Sequence, residues 1–127
     1  MYKLTVESHF DAAHALRGYK GRCEQTHGHR FRVVAHFTAR QLDDIGLGCD
    51  FNELKKALNS VLALFDHTNL SETAPFDSIN PSSENLASTI YGMLDKGANS
   101  LPARLHSVEV WESPDAGAEY RPDLRLL

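Results

Sequence analysis

Apolar and polar residues alternate along the first stretch of the chain. Leu4, Val6, Phe10 and Ala12 share one parity, the period-two pattern of a strand with one buried face. The pattern returns from His29 to Thr38, where Phe31, Val33, Ala35 and Phe37 share a parity. Between them, Arg17-Gly18-Tyr19-Lys20-Gly21-Arg22 carries two glycines and predicts a loop. After Asp50 the period changes. Phe51, Leu54, Leu58, Val61, Leu62 and Phe65 recur at three- and four-residue intervals and predict an amphipathic helix, with Asp50 and Glu53 at capping-box spacing. A second helix is expected from Asn80-Pro81, because asparagine caps well and proline loses no needed donor at the first helical position. Its stripe is Leu86, Ile90 and Leu94, and Gly97 is the expected stop. Two further strands are expected near Leu105 to Glu112 and near Ala118 to Leu126, with Pro122 marking an edge or bulge. Ser113-Pro114-Asp115-Ala116-Gly117 suits the hairpin between them.

The order ββααββ predicts an α+β fold, one domain over residues 1–127, with two helices on one face of a four-stranded antiparallel sheet. Such a sheet keeps two open edges, so pairing between subunits is expected and the chain should form a homo-oligomer.

Composition narrows the classes of function. The 127 residues are 42 % apolar and 24 % charged, the balance of an ordinary globular domain. No apolar run approaches the roughly 20 residues of a membrane-spanning helix. The first residues alternate in polarity and lack a signal-peptide core, so the cytoplasm is the expected compartment. The net charge of −4, with no basic tail, argues against nucleic-acid and membrane-surface partners. Cys23 and Cys49 are too few for a disulfide framework, and a reducing compartment argues against a bridge. The informative excess is histidine, with seven.

The densest chemistry lies in Cys23-Glu24-Gln25-Thr26-His27-Gly28-His29. His27 and His29, two apart on extended chain, face the same way and share parity with Phe31 and Val33. Imidazoles on an apolar face need polar partners, and a metal ion is one. His14 has the apolar parity of the first strand, so pairing of the two strands would bring it to His27 and His29. Three imidazoles with an open fourth position form a catalytic zinc pattern, and neutral ligands leave the ion able to polarise a carbonyl or hydroxyl oxygen. The alternative is a chance or structural histidine pair. His9 and His36 have the opposite parity and read as surface or secondary residues.

Each other candidate also has two readings. Cys23, four residues before His27, is either a buried inert thiol or a thiolate favoured by a nearby cation and able to take a proton from carbon. Cys49 reads as core. Asp66-His67 is either a helix-end pair or a carboxylate–imidazole couple for acid–base work. Glu112 shares parity with Val108 and Val110, and is either a solvated strand end or a carboxylate accepting paired hydrogen bonds from a ligand. Arg17, Lys20 and Arg22 are either a solvated loop or a phosphate clamp.

Taken in order, Phe10-Asp11-Ala12-Ala13-His14, Cys23-x-x-x-His27-Gly28-His29, Asp50-Phe51-x-x-Leu54-Lys55, Leu64-Phe65-Asp66-His67-x-x-Leu70, Asn80-Pro81-Ser82-Ser83-Glu84-Asn85-Leu86 and Val110-Trp111-Glu112-Ser113 resemble the 6-pyruvoyl-tetrahydropterin synthase family over nearly the whole chain. The resemblance implies the tunnelling fold (T-fold), with sheets joined into a barrel, typically as a homohexamer. It implies Zn2+ on His14, His27 and His29, and Cys23 as catalytic base. Asp66 and His67 would complete the proton relay across a subunit interface, and Glu112 would anchor the pterin. The three-residue gap between Cys23 and His27 resembles the bacterial 6-carboxytetrahydropterin synthases. These convert 7,8-dihydroneopterin triphosphate to 6-carboxy-5,6,7,8-tetrahydropterin, acetaldehyde and triphosphate on the route to queuosine. Arg30-Phe31 departs from the family, where many members have a smaller polar residue and a tyrosine. The rival readings are pyruvoyl-tetrahydropterin synthesis from the same substrate, a non-catalytic zinc-containing pterin- or purine-binding module, and an unrelated metal-dependent oxygenase of histidine type.

Overall fold

The structure is a computed structural model describing residues 1–18 and 25–122. Strands β1 (Tyr2–His14) and β2 (His27–Ala39) pair antiparallel without interruption from Tyr2 opposite Ala39 to His14 opposite His27. Helix α1 (Phe51–Leu62) follows, then the short strand β3 (Thr68–Asn69) and helix α2 (Ser83–Gly97). Strands β4 (Arg104–Ser113) and β5 (Ala116–Tyr120) complete a sheet of order β3-β1-β2-β4-β5.

The fold is α+β with both helices on one face, as the alternation predicts, but the sheet has five strands instead of four. The extra one, β3, runs parallel to β1, with Thr68 opposite Ala12 and Asn69 opposite Ala13. Two residues are too few to show an alternation. The segment is fixed by tertiary hydrogen bonds, since the Asp11 N–H donates to Asp66 Oδ1 at 2.9 Å and the His67 N–H to the Asp11 carbonyl at 2.6 Å.

Asp50 caps α1, its carboxylate accepting the Asn52 N–H at 2.8 Å. Leu54, Leu58, Val61 and Leu62 form the buried stripe, joined beyond the helix by Phe65. Phe51, expected in that stripe, is exposed at the first helical position. Helix α2 starts two residues later than expected. Ser82 is its cap, accepting the Asn85 N–H at 3.1 Å. Asn80 is engaged elsewhere: its side-chain amide accepts the Arg17 N–H and donates to the Arg17 carbonyl, both at 2.9 Å. Strand β5 starts at Ala116 and ends at Tyr120, before Pro122, so the connecting loop is the two residues Pro114-Asp115.

One core joins sheet to helices. Phe10, Phe31, Val33, Phe37, Val108 and Val110 meet Leu54, Leu58, Leu86, Ile90 and Leu94, all fully buried. Phe10 stacks on Phe31 with ring centres 5.0 Å apart, and Cys49 lies in the same core, where burial pushes its thiol pKa up and keeps it inert. No helix among the described residues is long and apolar enough to cross a membrane.

Candidate metal centre

The β1–β2 register builds a histidine cluster. His14 lies opposite His27, and Ala12 opposite His29, so both partners of the His-x-His pair project on the helix side beside His14. Ring centres are 4.8 Å apart for His14 and His27, 5.1 Å for His14 and His29, and 4.6 Å for His27 and His29. One ligand nitrogen from each falls within 4.8 Å of the others.

The rings are prepared for a metal. His14 is 1 % exposed. Its Nδ1–H donates to the Pro81 carbonyl at 2.8 Å, which leaves the Nε2 lone pair aimed at the cluster; Nε2 is buried and has no hydrogen-bond partner among the described residues. His27 Nδ1–H donates to the Gln25 carbonyl at 2.6 Å, with the same effect on its tautomer. Burial lowers the pKa of His14 and of His29, so both rings stay neutral and able to coordinate. A buried nitrogen without a partner is costly. A cation at the convergence point removes that cost, so this donor set fits a metal ion.

The sequence profile of the 6-pyruvoyl tetrahydropterin synthase family matches residues 3–123. A protein of Archaeoglobus fulgidus is 36 % identical over 119 residues, 93 % of this chain and 94 % of its own length. The 6-carboxy-5,6,7,8-tetrahydropterin synthase of Synechocystis sp. is 33 % identical over 125 residues, 94 % of this chain and 93 % of its own length. Among solved structures, the 6-pyruvoyl tetrahydropterin synthase of Caenorhabditis elegans superposes with a TM-score of 0.84 at 28 % identity, covering 97 % of this chain and 98 % of its own.

This chain belongs to the 6-pyruvoyl tetrahydropterin synthase family. It is an enzyme, of the lyase type.

The other candidates divide between two places. Glu112 is the last residue but one of β4, and its Oε2 lies 3.9 Å from His14 Nε2, so this carboxylate borders the histidine cluster. Asp66 and His67 lie instead at the β1–β3 edge. His67 has φ 58°, in the left-handed region, and its Nε2 is 3.5 Å from Asp66 Oδ2. The pair adjoins Asp11, whose carboxylate takes two bonds from Arg30, Nε to Oδ1 at 2.9 Å and Nη2 to Oδ2 at 3.2 Å. Arg30 thereby holds the Asp11 carboxyl below the usual carboxylate range. The His67 side chain is 79 % exposed, and among the described residues it makes no hydrogen bond or ion pair to the histidine cluster.

Cys23, Lys20 and Arg22 lie outside the described residues. Arg17, the remaining member of the basic cluster, donates from Nη2 to the Phe76 carbonyl at 2.9 Å. At the departure Arg30-Phe31, the phenylalanine is buried against Phe10 and the arginine serves Asp11.

Sequence reading missed the parts that orient these groups. The Pro81 and Gln25 carbonyls are backbone acceptors with no residue signature. The Asp11–Arg30 pair was open to detection: both have the polar parity, and they lie opposite each other in the hairpin.

Proposed function

We propose that this chain, as one T-fold domain over residues 1–127, is a zinc-dependent 6-carboxytetrahydropterin synthase of the cytoplasm. It converts 7,8-dihydroneopterin triphosphate to 6-carboxy-5,6,7,8-tetrahydropterin, acetaldehyde and triphosphate, on the route to queuosine. The observation that carries this reading is the buried, unpartnered Nε2 of His14, facing His27 and His29 with Glu112 beside it. Curated relatives from Synechocystis sp. and Bacillus subtilis bearing that activity's name, 33 % and 30 % identical, support the choice of reaction.

His14, His27 and His29 hold the ion, which when bound supplies positive charge to the oxygens of the substrate side chain and so makes the adjoining C–H bonds more acidic. A donor set of three imidazoles would favour zinc. Glu112 accepts hydrogen bonds from the pterin's amino and ring N–H groups, which fixes the side chain over the cluster. Cys23 is the base that takes the proton from carbon. His67, beside Asp66, returns protons to the product.

The exposure of His67 and its separate location support a site completed by a second subunit. Strands β3 and β5 are the open edges through which sheets would join, and a homohexamer is the assembly carried over from the family resemblance.

Mass analysis of the products from zinc-loaded protein and dihydroneopterin triphosphate tests the reaction. A carboxypterin with acetaldehyde supports it. A pyruvoyl pterin without loss of carbon assigns the other family activity, and binding without consumption makes the chain a pterin-binding module. A second reading is aldol cleavage of a monophosphorylated pterin. It is favoured by the dihydroneopterin monophosphate aldolase of Pyrococcus furiosus, 31 % identical over 121 residues. Turnover of dihydroneopterin monophosphate in preference to the triphosphate would select it.

A further inference from the structure

The sheet face turned away from the helices carries a second group of metal-ligand type, made by residues with no part in the reaction proposed above. Thr5 lies opposite His36 in the β1–β2 ladder, and Glu109 lies opposite Glu119 in the β4–β5 ladder. One ligand atom each from His36, Glu109 and Glu119 falls within 4.8 Å of the other two. His36, which sequence parity marks as a surface or secondary residue, is in fact 12 % exposed at the side chain and hydrogen-bonded to Glu109 through Nε2.

Three features set this group apart from a chance surface cluster. The first is charge. Two carboxylates directly opposite on neighbouring strands repel, and His36, Trp111 and Arg32 offset that at Glu109 alone among the described residues. The second is orientation. His36 Nδ1 is 3.0 Å from Thr5 Oγ1, a contact that fixes the ring and leaves Nε2 as the inward nitrogen. Glu109 Oε1 accepts the Trp111 Nε1–H at 2.9 Å, which leaves Oε2 as the inward oxygen. Trp111 is itself held, with Arg32 Cζ 5.1 Å from its ring centre on β2 and Gly117 on β5 so close that a Cβ there would come within 2.5 Å of the ring. The third is the backbone. The β2–β4 register shifts between His36 and Phe37, the kind of irregularity that re-aims a side chain.

We propose that His36, Glu109 and Glu119 form a second binding site for a divalent transition-metal cation, on the helix-free face of the sheet. One imidazole and two carboxylates suit a dication of borderline hardness, such as cobalt or zinc. Thr5 and Trp111 are positioning residues. The cation takes the place of the His36–Glu109 hydrogen bond and neutralises the facing carboxylates.

Trp111 is the chain's single tryptophan and touches the site through Glu109, so its fluorescence reports occupancy. The test is a Co2+ titration of the full-length His27→Ala chain, in which the histidine cluster is disabled. Saturable quenching at one equivalent per chain is expected. Glu119→Gln, at an exposed position, and Glu109→Gln should each weaken it by more than tenfold. Gly117→Ala, by displacing Trp111, should weaken it by about 10–100-fold, the usual loss when a second-shell partner is removed. Equilibrium dialysis of the otherwise unaltered chain against Zn2+ gives the second readout: two ions per chain, falling to one in Glu119→Gln. No saturable quenching, quenching that both glutamate variants leave unchanged, or a single zinc per chain that Glu119→Gln retains would each overturn the site.

Discussion

His14 and Pro81 are joined by one hydrogen bond, 2.8 Å from imidazole Nδ1 to the proline carbonyl, across the gap between the end of β1 and the start of α2. That bond sets the tautomer of the most buried histidine and leaves its other nitrogen without a partner among the described residues. The geometry of the candidate metal centre therefore depends on where α2 begins.

Ser82→Ala tests the dependence. Ser82 caps α2 immediately after Pro81, so its loss should reduce stability by about 1 kcal/mol in urea unfolding. Metal affinity should fall with it, by up to the about 10–100-fold seen when a second-shell partner is disturbed. Pro81→Ala keeps the carbonyl and should keep the metal. Competition with a chromophoric chelator measures both variants.

Burial lowers the pKa of His14 and His29, which fixes a direction for pH. In the unfolded chain these rings protonate near pH 6.5, in the folded chain at lower pH, so below about 6.5 the unfolded state binds more protons. The metal-free protein should lose stability as pH falls through that window and be nearly insensitive to pH above it. Unfolding midpoints in chelator between about pH 8 and about pH 5 check this. In His14→Gln the slope should shrink.

Glu112→Gln separates binding of the substrate ring from binding of the metal. Metal content should be unchanged, because the three imidazoles remain. Loss of a charge-assisted hydrogen bond to the pterin should lower kcat/KM by about 10–100-fold. Unchanged kinetics would remove Glu112 from the substrate site.

The hairpin and histidine cluster were legible because one rule governs both. Strand parity places His14 with Phe10 and Ala12, and His29 with Phe31, so pairing the strands assembles the cluster. Helix α1 was legible from Leu54, Leu58 and Val61 for the same kind of reason. Strand β3 was not, because Thr68 and Asn69 are too short for a period and are held by Asp11 on another strand. The cap of α2 was misplaced because Asn80, a good cap by type, spends its amide on Arg17. His36 was undervalued because parity gives a side chain's face, and its partners Thr5 and Glu109 come from register.

Mixing tests where Asp66 and His67 act. His27→Ala and His67→Ala should each be nearly inactive alone. If a site takes its histidine cluster from one subunit and its relay from another, co-refolded mixtures should regain a substantial fraction of activity. Mixtures that stay inactive would confine the relay to the subunit that holds the metal.

The most direct measurement is turnover of dihydroneopterin triphosphate by the metal-stripped protein before and after one equivalent of zinc, repeated with His29→Ala. The account predicts negligible turnover without metal, recovery of carboxypterin and acetaldehyde formation on adding zinc, and no recovery in the variant. Full turnover in the stripped protein, or zinc-restored turnover in His29→Ala, would contradict it.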